Sequence, residues 1–211
     1  EILTHIRHSE KVLIMKRFLL ILILTFSFQS WTKADDIRDF QIERMSVGDS
    51  LLDYFNEKEI TDKINSYNNK GFIYNHKDFY AITFRLLPMF EIYEGVQFFL
   101  KNNDNNYIIY SIAGEKYHKD INNCYSKFDE IEDEFDILFK NSSKAEKLKR
   151  PHAYDKTGVS TTTDVYYNMP NGDYVAIICA DWSEKINISD SFRVEISSNE
   201  FADFLNNKAY K

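Results

Sequence analysis

Residues 121–140 read Ile121-Asn122-Asn123-Cys124-Tyr125-Ser126-Lys127-Phe128-Asp129-Glu130-Ile131-Glu132-Asp133-Glu134-Phe135-Asp136-Ile137-Leu138-Phe139-Lys140. Apolar residues at 121, 124, 125, 128, 131, 135, 138 and 139 follow one face of a 3.6-residue period, which predicts an amphipathic helix over 121–140. The opposite face carries Asp129, Glu130, Glu132, Asp133, Glu134 and Asp136. At roughly 1.5–3 kcal/mol for each large apolar side chain buried, this stripe is expected to be a main contributor to the core.

The sequence on both sides of this helix alternates as strands do. Phe79 to Leu87, Tyr93 to Lys101 and Tyr107 to Ala113 precede it, with Pro88 closing the first and Asn102 to Asn106 forming a polar hairpin loop between the second and third. Thr161 to Tyr167, Asp173 to Ala180 and Phe192 to Ile196 follow it, the first two joined through the turn Met169-Pro170-Asn171-Gly172. Residues 141–158 are polar, contain Pro151 and read as a helix tail and linking loop. Short helices are expected at both ends: Ser46 and Asp49 resemble the start of one ahead of Leu51, Leu52 and Phe55, Glu57 to Tyr67 reads as another, and Ser197 with Glu200 forms a capping box for a closing helix with Phe201, Phe204 and Leu205. The expected class is α+β, with two three-strand antiparallel meanders packed on one long helix and short terminal helices.

Upstream of this domain, Met15-Lys16-Arg17 leads into the apolar run Phe18 to Phe28, and small residues follow at Thr32-Lys33-Ala34. A cationic start, an apolar stretch of about 7–15 residues and a small-residue cut site describe a secretory signal. The run is short of the roughly 20 residues a spanning helix needs. We therefore read residues 1–14 as an upstream extension, 15–34 as a signal peptide cleaved after Ala34, and 35–211 as a single α+β domain, periplasmic or secreted, with no stable membrane span once the signal is removed.

The whole chain has a formal charge of −7. Residues 1–34 hold five Lys/Arg and two acids, so the remainder is more negative still. Such a balance argues against nucleic acid as a partner, because nucleic-acid binding relies on cations that neutralise phosphates. It also argues against an anionic membrane surface. Two cysteines in an exported chain suggest one disulfide, and Cys124 on the helix stripe and Cys179 on a strand face with Val175 and Ile177 both point to the core, so a Cys124–Cys179 bond is expected.

Few residues suggest chemistry. His76-Lys77-Asp78 and His118-Lys119-Asp120 are identical triplets in which a His lies near a carboxylate, but no nucleophile elbow or paired metal-ligating His accompanies them. Asp120 also suits the N-cap of the long helix. The acidic run 129–136 spreads over a helical face rather than converging on a Gly-containing calcium loop, so no metal or other cofactor is expected. Tyr107, Tyr110, Tyr166, Tyr167, Tyr174 and Trp182 fall on the proposed strands or their ends and form a candidate interaction surface, since Tyr and Trp suit recognition.

Phe40-Gln41-Ile42-Glu43-Arg44-Met45-Ser46-Val47-Gly48-Asp49-Ser50-Leu51-Leu52-Asp53-Tyr54-Phe55 resembles uncharacterised exported proteins of small AT-rich marine alphaproteobacteria, and the similarity extends through Ile109 to Cys124. That family carries no established activity, and it often has Gly where this chain has Arg44. More loosely, a Met-Ser start leading into a strand meander is similar to the small α+β domains of outer-membrane assembly lipoproteins and of beta-lactamase-inhibitor-like proteins. Those resemblances imply a binding module. The expected function is thus a non-catalytic interaction module of the cell envelope with an envelope protein as partner. The alternatives are a small exported hydrolase using His76 or His118, and a small-ligand binder with a Tyr-lined groove.

Overall fold

The computed structural model describes residues 36–67, 71–153 and 155–211. The upstream extension, the expected signal and its cut after Ala34 lie outside the described residues. In chain order the described elements are α1 (Glu57–Asn65), β1 (Phe79–Arg85), β2 (Gly95–Lys101), β3 (Ile109–His118), α2 (Ile121–Leu138), β4 (Ser143–Lys144), β5 (Leu148–Pro151), β6 (Thr161–Asn168), β7 (Tyr174–Asp181), β8 (Asp190–Ser197) and α3 (Asn199–Asn207). The class is α+β, and the strands form one antiparallel sheet of order β1-β2-β3-β8-β7-β6-β4, with β5 also pairing β6.

Residues paired directly across antiparallel strands point to the same side, so the registers divide the sheet into two faces. One face carries Phe84, Val96, Val194, Ile177 and Val165 in one row and Ile82, Phe98, Ile112, Ile196, Val175 and Tyr167 in the next. Both rows are buried. Over β7 and β8 this face is covered by α2, which buries Cys124, Phe128, Ile131 and Phe135 and is capped by Asp120 accepting from the Asn122 amide at 2.9 Å. The disulfide between Cys124 and Cys179, with Cα atoms 6.0 Å apart, ties helix to sheet.

Over β1 to β3 the same face is covered by residues 37–55, of which Ile37, Phe40, Ile42, Met45, Val47, Leu51 and Phe55 are buried. Phe55 stacks on Phe84 at 4.3 Å, and Phe40 meets Phe139 at 4.8 Å. This segment does not form the helix expected from Ser46. Asp49 instead accepts from the Ser46 amide at 2.8 Å, and the backbone of 48–51 pairs with 107–109 through Gly48 N to Ile109 O, Ile109 N to Asp49 O and Leu51 N to Tyr107 O. Only a single 3-10 turn, Leu51–Asp53, follows, and Ser50 caps it.

Two further expectations are corrected. Residues 141–158 are not only a loop, because β4 and β5 within them add two edge strands to the six expected. They also reach the acidic helix face, where Lys144 pairs with Glu132 at 2.9 Å and Asp136 at 2.7 Å, and Lys147 pairs with Asp129 at 2.9 Å and with Glu132. The cap of α3 is Ser198 rather than Ser197, its side chain accepting from the Phe201 amide at 3.3 Å. α3 packs Phe201 and Phe204 on Phe79, Ala81 and Phe99 on the other face of the sheet.

Candidate binding groove

The connection from β1 to β2 is Leu86-Leu87-Pro88-Met89-Phe90-Glu91-Ile92-Tyr93-Glu94, an apolar segment where a polar turn is usual. Its conformation is fixed from outside. The buried Glu43 carboxylate accepts three successive backbone amides, Glu91 N on Oε2 at 2.8 Å and Ile92 N and Tyr93 N on Oε1, both at 2.7 Å. Leu86 N to Glu94 O and Glu94 N to Glu115 O close the loop at its base. The Tyr93 ring lies against Gly114, where any side chain would clash: a Cβ there would come within 2.6 Å of the ring carbons.

Glu43 reaches the loop from a turn in which Ile42 and Met45 exchange both backbone hydrogen bonds, at 3.0 Å each. Its two central residues, Glu43 (φ 51°) and Arg44 (φ 68°), are both left-handed, as a type I′ turn requires, and Leu86 at the other end of the clamped loop has φ 52°. A non-glycine residue there costs on the order of 1 kcal/mol or more, and such strain clusters where function demands a geometry. Arg44 holds a left-handed conformation that suits glycine better than arginine.

The result is a rigid loop that leaves apolar side chains outside. Leu86 is 77% exposed and Met89 41%. Leu86, with Leu87, Phe90 and Ile92, borders an open groove whose other wall is the end of β3, Lys116 to His118. His118 Nε2 is buried in this wall and has no hydrogen-bond partner among the described residues. A buried polar atom left without a partner costs about 1–3 kcal/mol and needs an explanation.

Beside the groove, on the α3 side of the sheet, is a polar network. Arg193 donates to Gln97 at 2.7 Å, to Glu115 at 3.0 Å and twice to Glu195 at 2.7 and 3.0 Å. Tyr174 donates to Glu195 at 2.6 Å, Tyr117 to Glu115 at 2.7 Å, and Arg85 to the Tyr117 hydroxyl at 2.8 Å. Burial works against the charge on Arg193, but Glu195 and Glu115 outweigh it and hold the guanidinium above its ordinary pKa. Burial and then Glu115 push the Tyr117 phenol up to about 12. Arg193 thus holds Gln97, Glu115 and Glu195 together, and of this network only Tyr117 lines the groove.

The predicted residues are dispersed. Tyr166 and Tyr167 are neighbours on a strand and therefore face opposite sides. Tyr167 is buried under α2, donating to Asp136 at 2.6 Å, and Tyr174 is buried beside Tyr166, so neither belongs to an exposed surface. Tyr110 packs on Phe79 at 5.2 Å, Tyr107 borders a recess with Tyr80 at the Asn102–Asn105 loop, and Trp182 packs on His152 at 4.0 Å. Of the two His triplets, His76 is exposed outside the groove and His118 is in its wall. Among the described residues no group of three or more His, Cys, Asp or Glu could hold a metal ion. Glu43 and the 86–94 loop escape the sequence reading, although seven apolar or aromatic residues in a nine-residue inter-strand connection are a visible signal.

Comparison with known proteins adds no identity: no family model, no curated protein and no solved structure matches the chain.

Proposed function

We propose that this chain is an exported, non-catalytic binding module of the cell envelope, and that its contact site is the groove beneath the 86–94 loop rather than the tyrosines of the sheet. The observation that carries this reading is the Glu43 clamp, which holds an apolar loop in a strained, fixed form while leaving Leu86 and Met89 exposed. Fixing a loop before binding removes part of the ordering cost of association. The disulfide supports an oxidising compartment, and among the described residues no helix is long and apolar enough to cross a membrane. The resemblance to uncharacterised exported proteins supports the same address. The occupant we assign is an apolar segment of an envelope protein, matching the apolar wall of Leu86, Leu87, Phe90 and Ile92.

The test is recovery of cross-linked partners from cells carrying the tagged chain. Leu86→Asp should abolish recovery of the partner while leaving urea unfolding within about 0.5 kcal/mol of wild type, as exposed substitutions do. Undiminished recovery would refute the groove. The position of His118 favours one competing reading, a small hydrolase using that imidazole. It predicts that His118→Ala removes a measurable turnover without unfolding the chain.

A further inference from the structure

We propose that the backbone amides of Glu91, Ile92 and Tyr93 form a carboxylate-binding nest whose resident ligand is the chain's own Glu43. Three successive N–H groups converge on one carboxylate at 2.7–2.8 Å, two on one oxygen and one on the other. Successive amides that turn inward in this way make a concave anion site, and the charge-assisted bonds they form are stronger than neutral ones. The carboxylate is buried, and Glu43 and Arg44 adopt left-handed backbone to deliver it. Helix termini play no part: 91–93 lies between two strands, and the ligand comes from 48 to 50 residues away in sequence.

Vacating the nest should therefore create a site for a small free carboxylate. Glu43→Gly removes the side chain and relieves the left-handed strain at that position. Formate titrated into the purified full-length variant should give saturable shifts of the 91, 92 and 93 amide resonances and raise its Tm by several degrees, as a ligand specific to the folded state does. The wild-type chain, its nest filled, should show neither effect. Sodium chloride at matched ionic strength should not substitute for formate. Should Glu43→Gly fail to fold without formate, recovery of the folded spectrum on adding formate is the expected result. Glu43→Gln, which keeps one acceptor oxygen, should fall between the two and respond weakly. Absence of formate-dependent shifts in the glycine variant, equal shifts in wild type, or equal rescue by chloride would each overturn the proposal. The readout is anion binding and loop order, so it stands or falls separately from recovery of any envelope partner.

Discussion

The two halves of the sheet are covered on the same face by different means. Over β7 and β8 the cover is α2, a regular helix with a continuous apolar stripe and a covalent tie at Cys124–Cys179. Over β1 to β3 it is residues 37–55, which have almost no repeating structure and hold on by single anchors: Phe55 on Phe84, backbone pairing of 48–51 with 107–109, and Glu43 on the 86–94 loop. Regular cover stabilises through repetition, so no single residue decides its geometry. Irregular cover can present a loop in one chosen form, but it depends on particular residues, and the groove is on that side.

The comparison can be broken first at the covalent tie. Cys124→Ala with Cys179→Ala releases a cross-link spanning 55 residues of sequence, which in the chain-entropy model is worth about 4 kcal/mol. Urea unfolding should show a loss of that order. A loss below about 1 kcal/mol would mean that α2 is held by its stripe alone.

A smaller effect is expected across the centre of the sheet. Arg193→Met strands the Glu195 carboxylate and leaves Glu115 only Arg85 at 3.9 Å, at a cost of about 3 kcal/mol. Adding Glu195→Gln should recover part of that loss, because the charge left without a cation is removed. If the second change gives no recovery, the cost lies in packing rather than in stranded charge.

The smallest effect sharpens the picture of the irregular cover. Arg44→Gly removes left-handed strain at φ 68° and gives up only an exposed pair with Glu91. It should stabilise the chain by about 0.5 kcal/mol, read as a higher urea midpoint at unchanged slope. A lower midpoint would show that the ion pair outweighs the strain.

What the sequence made legible follows the same division. The stripe of 121–140, the alternation in β6 to β8, the Met169–Gly172 turn and the cysteine pair all express a period or a geometric constraint that residues declare locally. β4 and β5 were missed because all their side chains are exposed, so no apolar alternation marks them. The Ser46–Asp49 pair did form a local side-chain hydrogen bond. It served a turn instead of a helix because the backbone that follows pairs with 107–109, a partner over 50 residues away. Glu43 is not legible as a clamp because its three partners are backbone amides, which no sequence pattern reveals. Of the candidate tyrosines, Tyr167 and Tyr174 are buried, and Tyr166 and Tyr167, as strand neighbours, face opposite sides of the sheet.

The most direct test of the groove uses two residues of equal exposure. Leu86 at the groove and Ile137 on α2 are each 77% exposed, and a photo-reactive amino acid placed at either one samples solvent equally well. Cross-linking in living cells should join the Leu86 position to one reproducible envelope protein and leave the Ile137 position without it. Capture of that protein from Ile137 and not from Leu86 would contradict the account.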